Sequence, residues 1–246
     1  LGTIETRIRE DSWVSMPTVW GGDTRYDGVE KINYNMYFTG GNGNQPGYPS
    51  SLPERTSYAD RIVISTDTNS VVPSAQLPFD VGKTDDGFNT PSTTVSWWAG
   101  YQRSRVYKLT YATESQSSSP SGTFANGPSG NNEWTMMAAV GNNETGYFGG
   151  GDSGPATSRV QKITFSEETF ANLPAAGNMT GPSRIRMATT GTPTRGYFMG
   201  GYPSSQNSAR MEYSTDTMTQ LPNSQEGYFS RGSTGTDIAG YFTGGL

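Results

Sequence analysis

The sequence predicts an all-β protein, a single five-bladed β-propeller domain over residues 1–246, and three observations lead to this fold class. Glycine is frequent, with 32 residues among 246. The chain carries 14 Tyr, 10 Phe and 5 Trp but only 16% charged residues, a balance typical of turn-rich proteins whose short strands bury aromatic rings. A glycine-aromatic motif also returns about every 50 residues, which is the length of one propeller blade.

The repeated motif is a strand of the form Gly-Tyr-Phe-x-Gly-Gly. It occurs at 146–151, 196–201 and 240–245, with a close variant at 36–41 and a degenerate copy, Ser-Trp-Trp-Ala-Gly-Tyr, at 96–101. Alternate residues of a strand point to opposite faces, so Tyr147 and Phe148 should contact different neighbouring blades. We expect this strand to run close to the axis of the ring, where the glycines let the backbone turn sharply.

A second repeated segment follows four of the motifs and also occurs near the start of the sequence. It begins with a basic and an apolar residue, continues with any residue and then an aromatic or aliphatic one, and usually runs into a polar acidic turn. The basic residues are Arg7, Arg61, Lys108, Lys162 and Arg210. Because acids lie close behind them, we expect each base to pair with the acidic turn of its own or the next blade. A further strand then ends near a proline, as at Leu173-Pro174. Each blade should therefore hold four antiparallel strands.

The two ends of the chain complement each other. The sequence ends directly after the fifth motif, before the basic segment that follows the other four. Residues 1–17 contain the pair Arg7-Ile8 and a proline-ended segment, Trp13 to Pro17. We expect residues 1–17 to complete the blade begun by 223–246, so that pairing of the N- and C-terminal segments closes the ring and leaves no open sheet face.

The composition excludes several kinds of chemistry. The chain has no His and no Cys, which removes imidazole and thiolate groups as catalysts or metal ligands. Its net charge of −5 provides no basic surface for nucleic acid, and no apolar run of about 18 residues suits membrane insertion. We therefore predict a non-enzymatic protein without cofactor or metal. A calcium site at Asp152 with Asn142 and Asn143 is the weaker alternative to a solvated loop.

The loops that differ between repeats are the candidate ligand-binding regions, because a repeat keeps what the scaffold needs and varies where recognition is built. Aromatic side chains beside amide, hydroxyl and charged groups suit sugar rings, which have an apolar face and a hydroxylated rim. The alternative is that these residues cap blade edges or contact a neighbouring subunit. The candidates are Tyr48, Tyr58, Tyr101, Arg103, Asp152, Tyr202 and Asn207.

The Gly-Tyr-Phe-x-Gly-Gly strand, with its Lys-Ile-Thr-Phe-like segment and Ser-Thr-Asp-Thr-like turn, resembles the kelch-like repeats of virion structural proteins from marine and cyanobacterial tailed phages. The resemblance spans all five repeats and is strongest over residues 140–222. It implies a module on the virion surface, in a tail fibre or appendage. Such a module would be present in many copies and would bind other virion proteins or a host cell-surface polysaccharide during attachment. It supplies no catalytic motif.

Two other functions are compatible with a propeller. The first is a stand-alone carbohydrate-binding lectin with up to five similar sites. The loop residues do not repeat from blade to blade, which disfavours this reading. The second is a five-bladed glycoside hydrolase, which requires three carboxylates grouped at the axis. The acidic residues fall mostly in the repeated turns, so the sequence gives no reason to place three of them there.

Overall fold

A computed structural model of the chain describes fourteen segments of the sequence. They are residues 28–32, 35–39, 59–63, 66, 68–75, 88–90, 94–99, 105–123, 137–151, 157–179, 183–203, 207–222, 232–235 and 240–243. These residues form antiparallel sheets with two short 3₁₀ turns, Pro73–Ala75 and Ala175–Gly177, and no α-helix occurs among them. The all-β fold class predicted from the sequence is therefore confirmed.

The described strands group into four sheets of four strands and one pair, each sheet following chain order. The first contains β1 (Gly28–Ile32), β2 (Asn35–Thr39), β3 (Ala59–Val63) and β4 (Thr68–Val71). The second contains β5 (Phe88–Thr90), β6 (Val95–Ala99), β7 (Arg105–Thr110) and β8 (Ser115–Thr123). The third contains β9 (Ala138–Gly141), β10 (Thr145–Gly149), β11 (Val160–Thr164) and β12 (Thr169–Asn172). The fourth contains β13 (Ala188–Gly191), β14 (Arg195–Met199), β15 (Ser208–Glu212) and β16 (Thr217–Leu221), and the pair is β17 (Gly232–Gly235) with β18 (Gly240–Thr243).

The Tyr-Phe motif occupies the second strand of every sheet, namely β2, β6, β10, β14 and β18. The degenerate Trp-Trp copy therefore forms the same strand as the others. In the third sheet Tyr147 lies opposite Val140 on one side and Lys162 on the other. In the fourth sheet Tyr197 lies between Thr190 and Arg210 in the same way. The constant register shows that the sequence repeat is also a repeat of strand pairing.

The buried edge of the sheet differs from the prediction. In the third sheet every residue of β9 is buried, whereas β12 at the opposite edge is mostly exposed. The first strands of successive sheets also contact one another, β5 with β9 and β9 with β13. The strand at the buried edge is therefore the one that precedes the Tyr-Phe strand. Its residues Ala138, Ala139 and Gly141 are small enough to let adjacent sheets approach closely.

Tyr147 and Phe148 point to opposite faces of the third sheet, as the alternation of strand residues predicts. Tyr147 packs in a cluster with Tyr213 and Met211 of the fourth sheet. Phe148 packs in a cluster with Trp97 and Val106 of the second sheet. Both rings have no exposed surface. The aromatic residues of the repeat therefore fill the layers between sheets, which explains why the chain is rich in them.

Two features of the sequence-based prediction concern residues that the structure does not describe. The proposed partners in ring closure, residues 1–17, lie outside the described part of the chain, and so do most of residues 223–246. The fifth sheet is described only as β17 and β18. The proline-ended strands are confirmed where the structure describes them, since β16 ends at Leu221 directly before Pro222.

Candidate functional site

Ion pairs join successive sheets at equivalent positions. The base lies on the third strand of one sheet, and the acid lies in the turn between the third and fourth strands of the next sheet. The three pairs are Arg61 with Glu114, Lys108 with Glu168, and Lys162 with Asp216. The prediction that these bases pair with acidic turns is confirmed, and the turn always belongs to the following sheet.

Each of the three acids has a left-handed backbone. The φ angles of Glu114, Glu168 and Asp216 are 47°, 52° and 53°. Side chains rarely adopt this conformation, which costs about 1 kcal/mol or more for a residue with a Cβ. Its recurrence shows that the turn geometry is repeated together with the ion pair. The turn aims the carboxylate back at the preceding sheet.

Aromatic rings complete this arrangement, which we call the inter-sheet clasp. In the clasp between the third and fourth sheets, the rings of Tyr147 and Tyr213 stack with centroids 5.1 Å apart and planes 6° apart. The Tyr147 hydroxyl donates to Asp216 Oδ1 over 2.6 Å, and Lys162 Nζ lies 2.8 Å from Asp216 Oδ2. Burial and the Asp216 hydrogen bond raise the pKa of Tyr147 far above its usual value. The tyrosine is therefore held as a neutral donor.

The clasp between the second and third sheets uses tryptophan instead of tyrosine. Trp97 stacks on Phe165 with centroids 6.1 Å apart, and Lys108 Nζ lies 5.7 Å from the centre of the Trp97 ring. Lys108 then pairs with Glu168 of the third sheet. The two clasps thus share an aromatic residue, a base and an acid at matching positions. These residues hold the sheets together, so they are poor candidates for a ligand site.

Arg210, the last of the repeated basic residues, contacts an acid on its own strand. Arg210 pairs with Glu212, two residues further along the same strand, at 2.9 Å. The exposed Arg195 shares the same carboxylate group at 3.0 Å. The turn of the next sheet, with which the sequence predicts a pairing of Arg210, lies outside the described residues, so that pairing stays a prediction. Arg7, the remaining repeated basic residue, lies outside the described residues.

A second set of residues lies at the ends of the second strands, where the glycine pairs change the chain direction. Gly150 and Gly200 both have a φ of 68°, and Gly151 and Gly201 have φ angles of 93° and 99°. A Cβ on Gly150 would lie 2.6 Å from the carbonyl oxygen of Arg184. The glycines thus permit both the left-handed turn and close packing against the segment that precedes β13.

The structure brings two of the predicted ligand residues, Tyr202 and Asn207, to this end of the fourth sheet. The side chain of Tyr202 is exposed, at 57% relative accessibility, while its backbone exchanges hydrogen bonds with Ile185 at 2.9 and 3.0 Å. The Asn207 carbonyl accepts from Gly200 N at 2.9 Å, and its Oδ1 accepts from Gln220. The other predicted ligand residues, namely Tyr48, Tyr58, Tyr101, Arg103 and Asp152, lie outside the described residues.

Arg184 is a residue of this region that the sequence reasoning missed. Its side chain has no exposed surface, and its Nη1 donates to the carbonyls of Gly200 at 3.1 Å and Asn207 at 2.5 Å. Burial lowers the pKa of the guanidinium to about 10. A signal existed in the sequence. Four residues before the first strand of the five sheets stand Thr24, Thr84, Trp134, Arg184 and Tyr228, so Arg184 is the charged residue at a position that is otherwise neutral.

The alternative calcium site finds no support at Asn142. Its Oδ1 accepts the backbone N–H groups of Glu144 and Thr145, each at 2.9 Å, which is ordinary turn chemistry. Within the described residues, no group of three or more acidic side chains is arranged to hold a metal ion. The same residues contain no helix with the length and hydrophobicity needed to span a membrane.

Comparisons with known proteins relate the chain to others through its fold. No protein-family model matches the sequence, and no curated protein matches it either. Among solved structures, the chain is similar to that of the protein YjhT, with a TM-score of 0.72 and 11% sequence identity. The match covers 96% of this chain and 81% of YjhT. At this identity the similarity shows a shared β-sheet fold and carries no conclusion about function.

Proposed function

We propose that the chain is a non-enzymatic binding module, a closed ring of five sheets on the surface of a tailed-phage particle. In this proposal the module binds a host surface glycan through the loops that follow the second strands. Its other contacts are with neighbouring virion proteins. The assignment to a phage rests on the resemblance of the repeats. The assignment of binding rests on a difference between the repeated residues, which pair with each other, and the unrepeated residues at the ends of the strands.

The observation that carries the binding proposal is the separation between repeated and unrepeated residues. The charged and aromatic residues that recur pair with each other across sheets in the inter-sheet clasps. Tyr202, by contrast, is an exposed aromatic residue at the same end of the fourth sheet as the amide-bearing Asn207, and neither belongs to the repeat. Exposed aromatic rings next to polar groups suit the apolar face and hydroxyl rim of a sugar.

Contacts between sheets, and the strands that the fifth sheet lacks within the described part of the chain, support the ring closure. Successive described sheets contact each other through their first strands, from β1 to β5 and onward to β17. The pair β17–β18 lacks the third and fourth strands of the other sheets within the described residues. Residues 1–17 carry the sequence features of those two strands, so we propose that they complete the fifth sheet.

Removal of residues 1–17 tests the closure. If these residues complete a sheet, the truncated chain should melt at least ten degrees lower than the full chain, because a four-stranded sheet would lose half of its strands. Removal of a peripheral segment would leave the melting temperature within about two degrees. That second result would contradict the closure, while leaving the binding proposal untouched.

Binding to isolated bacterial surface polysaccharides, immobilised as an array, tests the function. We expect the full chain to bind a subset of them and Tyr202→Ala to lose most of that binding without loss of stability. Val71→Ala is a matched control, because Val71 is also exposed but lies on an outer strand of the first sheet. An array with no bound polysaccharide would refute the glycan function.

The number of ligands bound per chain distinguishes the stand-alone lectin from this proposal. Because Tyr202 and Asn207 have no equivalents at matching positions of the other repeats, we expect one strong site per chain. A lectin with similar sites in every sheet would bind several ligands per chain with similar affinities. Calorimetric titration with the best polysaccharide fragment measures this number directly.

A further inference from the structure

Arg184 presents an unused hydrogen-bonding edge inside the fold. Its guanidinium has no exposed surface, and Nη1 is occupied by the carbonyls of Gly200 and Asn207. Nε and Nη2 are buried and have no hydrogen-bond partner among the residues that the structure describes. These two N–H groups lie on the same edge of the planar guanidinium, which is the edge that binds both oxygens of a carboxylate at once.

The charge of Arg184 also has no carboxylate partner in the described part of the chain, which distinguishes it from the bases of the clasps. Arg61, Lys108 and Lys162 each pair with a carboxylate of the next sheet. Among the described residues no carboxylate lies within ion-pairing distance of Arg184. An unpaired buried charge destabilises a fold considerably, so its presence is typical of a site that an anion completes.

The position of Arg184 connects this edge with the candidate ligand face. Ile185, the next residue, is paired through its backbone with Tyr202, whose side chain is exposed. The carbonyl that accepts most closely from Arg184 belongs to Asn207. Because residues paired in an antiparallel bridge point to one face and consecutive residues alternate, Arg184 extends to the inner face of this pairing and the Tyr202 ring to the outer face. A carboxylate bound to Arg184 would therefore lie beneath the candidate ligand face.

We propose that Arg184 is the anchor of a binding site for the carboxylate of an acidic sugar, such as a uronic acid unit of a surface polysaccharide. Nε–H and Nη2–H would each donate to one carboxylate oxygen. The glycan part of this inference rests on the proposed function. Because Arg184 is buried, the carboxylate reaches it only after neighbouring side chains move, and association should be slow compared with an exposed site.

Thermal stability tests the anion site with a free sugar acid, without a polysaccharide. Sodium glucuronate should raise the melting temperature of the full chain above that in sodium chloride of equal ionic strength, because a ligand that binds the folded state stabilises it. Arg184→Met, which keeps the volume and removes the charge, should abolish this difference. Arg195→Met should retain it, because Arg195 is exposed and paired with Glu212. Equal melting temperatures of the full chain in the two salts would overturn the anion site.

Saccharide affinity tests the sugar class. We expect glucuronate-containing oligosaccharides to bind at least roughly tenfold more tightly than their neutral glucose equivalents, since two charge-assisted hydrogen bonds distinguish them. Arg184→Lys keeps a cation but not the two-donor edge, and it should lose most of this preference. Equal binding of acidic and neutral saccharides would overturn the inference but leave the glycan function standing. Absence of binding to either class, with the glucuronate effect on stability preserved, would instead refute the glycan function alone.

Discussion

Replacement of Asp216 by alanine tests whether the inter-sheet clasp stabilises the fold. Asp216 lies in the turn of the fourth sheet and serves two groups of the third sheet. It accepts from the buried Tyr147 hydroxyl at 2.6 Å and pairs with Lys162 at 2.8 Å. The substitution therefore removes contacts that cross the boundary between sheets, while the turn itself is partly exposed.

The expected loss can be estimated from three contributions. The Tyr147 hydroxyl keeps only the Tyr213 carbonyl at 3.3 Å, and loss of its main acceptor costs about 1–3 kcal/mol. The ion pair with Lys162 is partly exposed and contributes at most about 1 kcal/mol. Aspartate already adopts the φ of 53° at this position, so alanine adds only the difference in left-handed tolerance, at most about 1 kcal/mol. Asp216→Ala should thus lower the free energy of unfolding by about 1–5 kcal/mol.

Urea denaturation of the natural chain and of Asp216→Ala, Asp216→Asn and Glu167→Ala measures this loss. Asp216→Asn retains a side-chain carbonyl for Tyr147 and tolerates the left-handed backbone, so it should cost about 1 kcal/mol. Glu167→Ala, in the equivalent turn of the third sheet, is the control. Glu167 is exposed, bonds only Thr169 nearby, and should change stability by less than about 0.5 kcal/mol. If Asp216→Ala is no more destabilising than Glu167→Ala, the clasp does not stabilise the fold.

Three further predictions concern the boundaries between sheets. The pKa of Tyr147 is raised in the folded state, so the stabilising effect of its protonated hydroxyl is complete below pH 10 and is lost as the pH rises above that value. The free energy of unfolding of the natural chain, measured by urea denaturation, should therefore fall relative to that of Tyr147→Phe by about 1.4 kcal/mol between pH 9 and pH 11. Gly196→Ala should destabilise by about 1–3 kcal/mol, because the new Cβ would overlap Val140 Cγ2 of the third sheet. Val140→Ala removes that atom, so the double variant should recover part of the loss, and no recovery would contradict the contact. Phe198→Ala should lower the unfolding free energy by about 3–5 kcal/mol, since this ring has no exposed surface, and a loss below about 1 kcal/mol would show that the layer between sheets is loosely packed.

The repeat made much of the architecture predictable. Because a strand alternates its side chains, the adjacent rings of Tyr147 and Phe148 could only pack on opposite faces, and they do. The bases Arg61, Lys108 and Lys162 recur with acids behind them, which predicted the ion pairs. The period could not decide whether the acid came from the same sheet or the next, because both lie equally close in a repeated structure.

Other features could not be predicted, because they depend on packing between segments that are distant in sequence. The buried edge of the third sheet is formed by β9, whose residues are small and carry no motif of their own. Arg184 stands in a connecting segment where arginine normally indicates a solvated surface. Only the packing of Gly200 and Asn207 around it reveals a buried guanidinium. Of the seven predicted ligand residues, the structure describes Tyr202 and Asn207.

The direction of the inter-sheet clasp affects how such a chain can change in length during evolution. Within the central described sheets, each unit presents a cation toward its successor and a carboxylate toward its predecessor. A duplicated unit would therefore find complementary partners on both sides, whichever position it entered. Insertion or deletion of a whole unit would preserve these pairings, whereas a break inside a unit would leave a carboxylate or a cation without its counterpart.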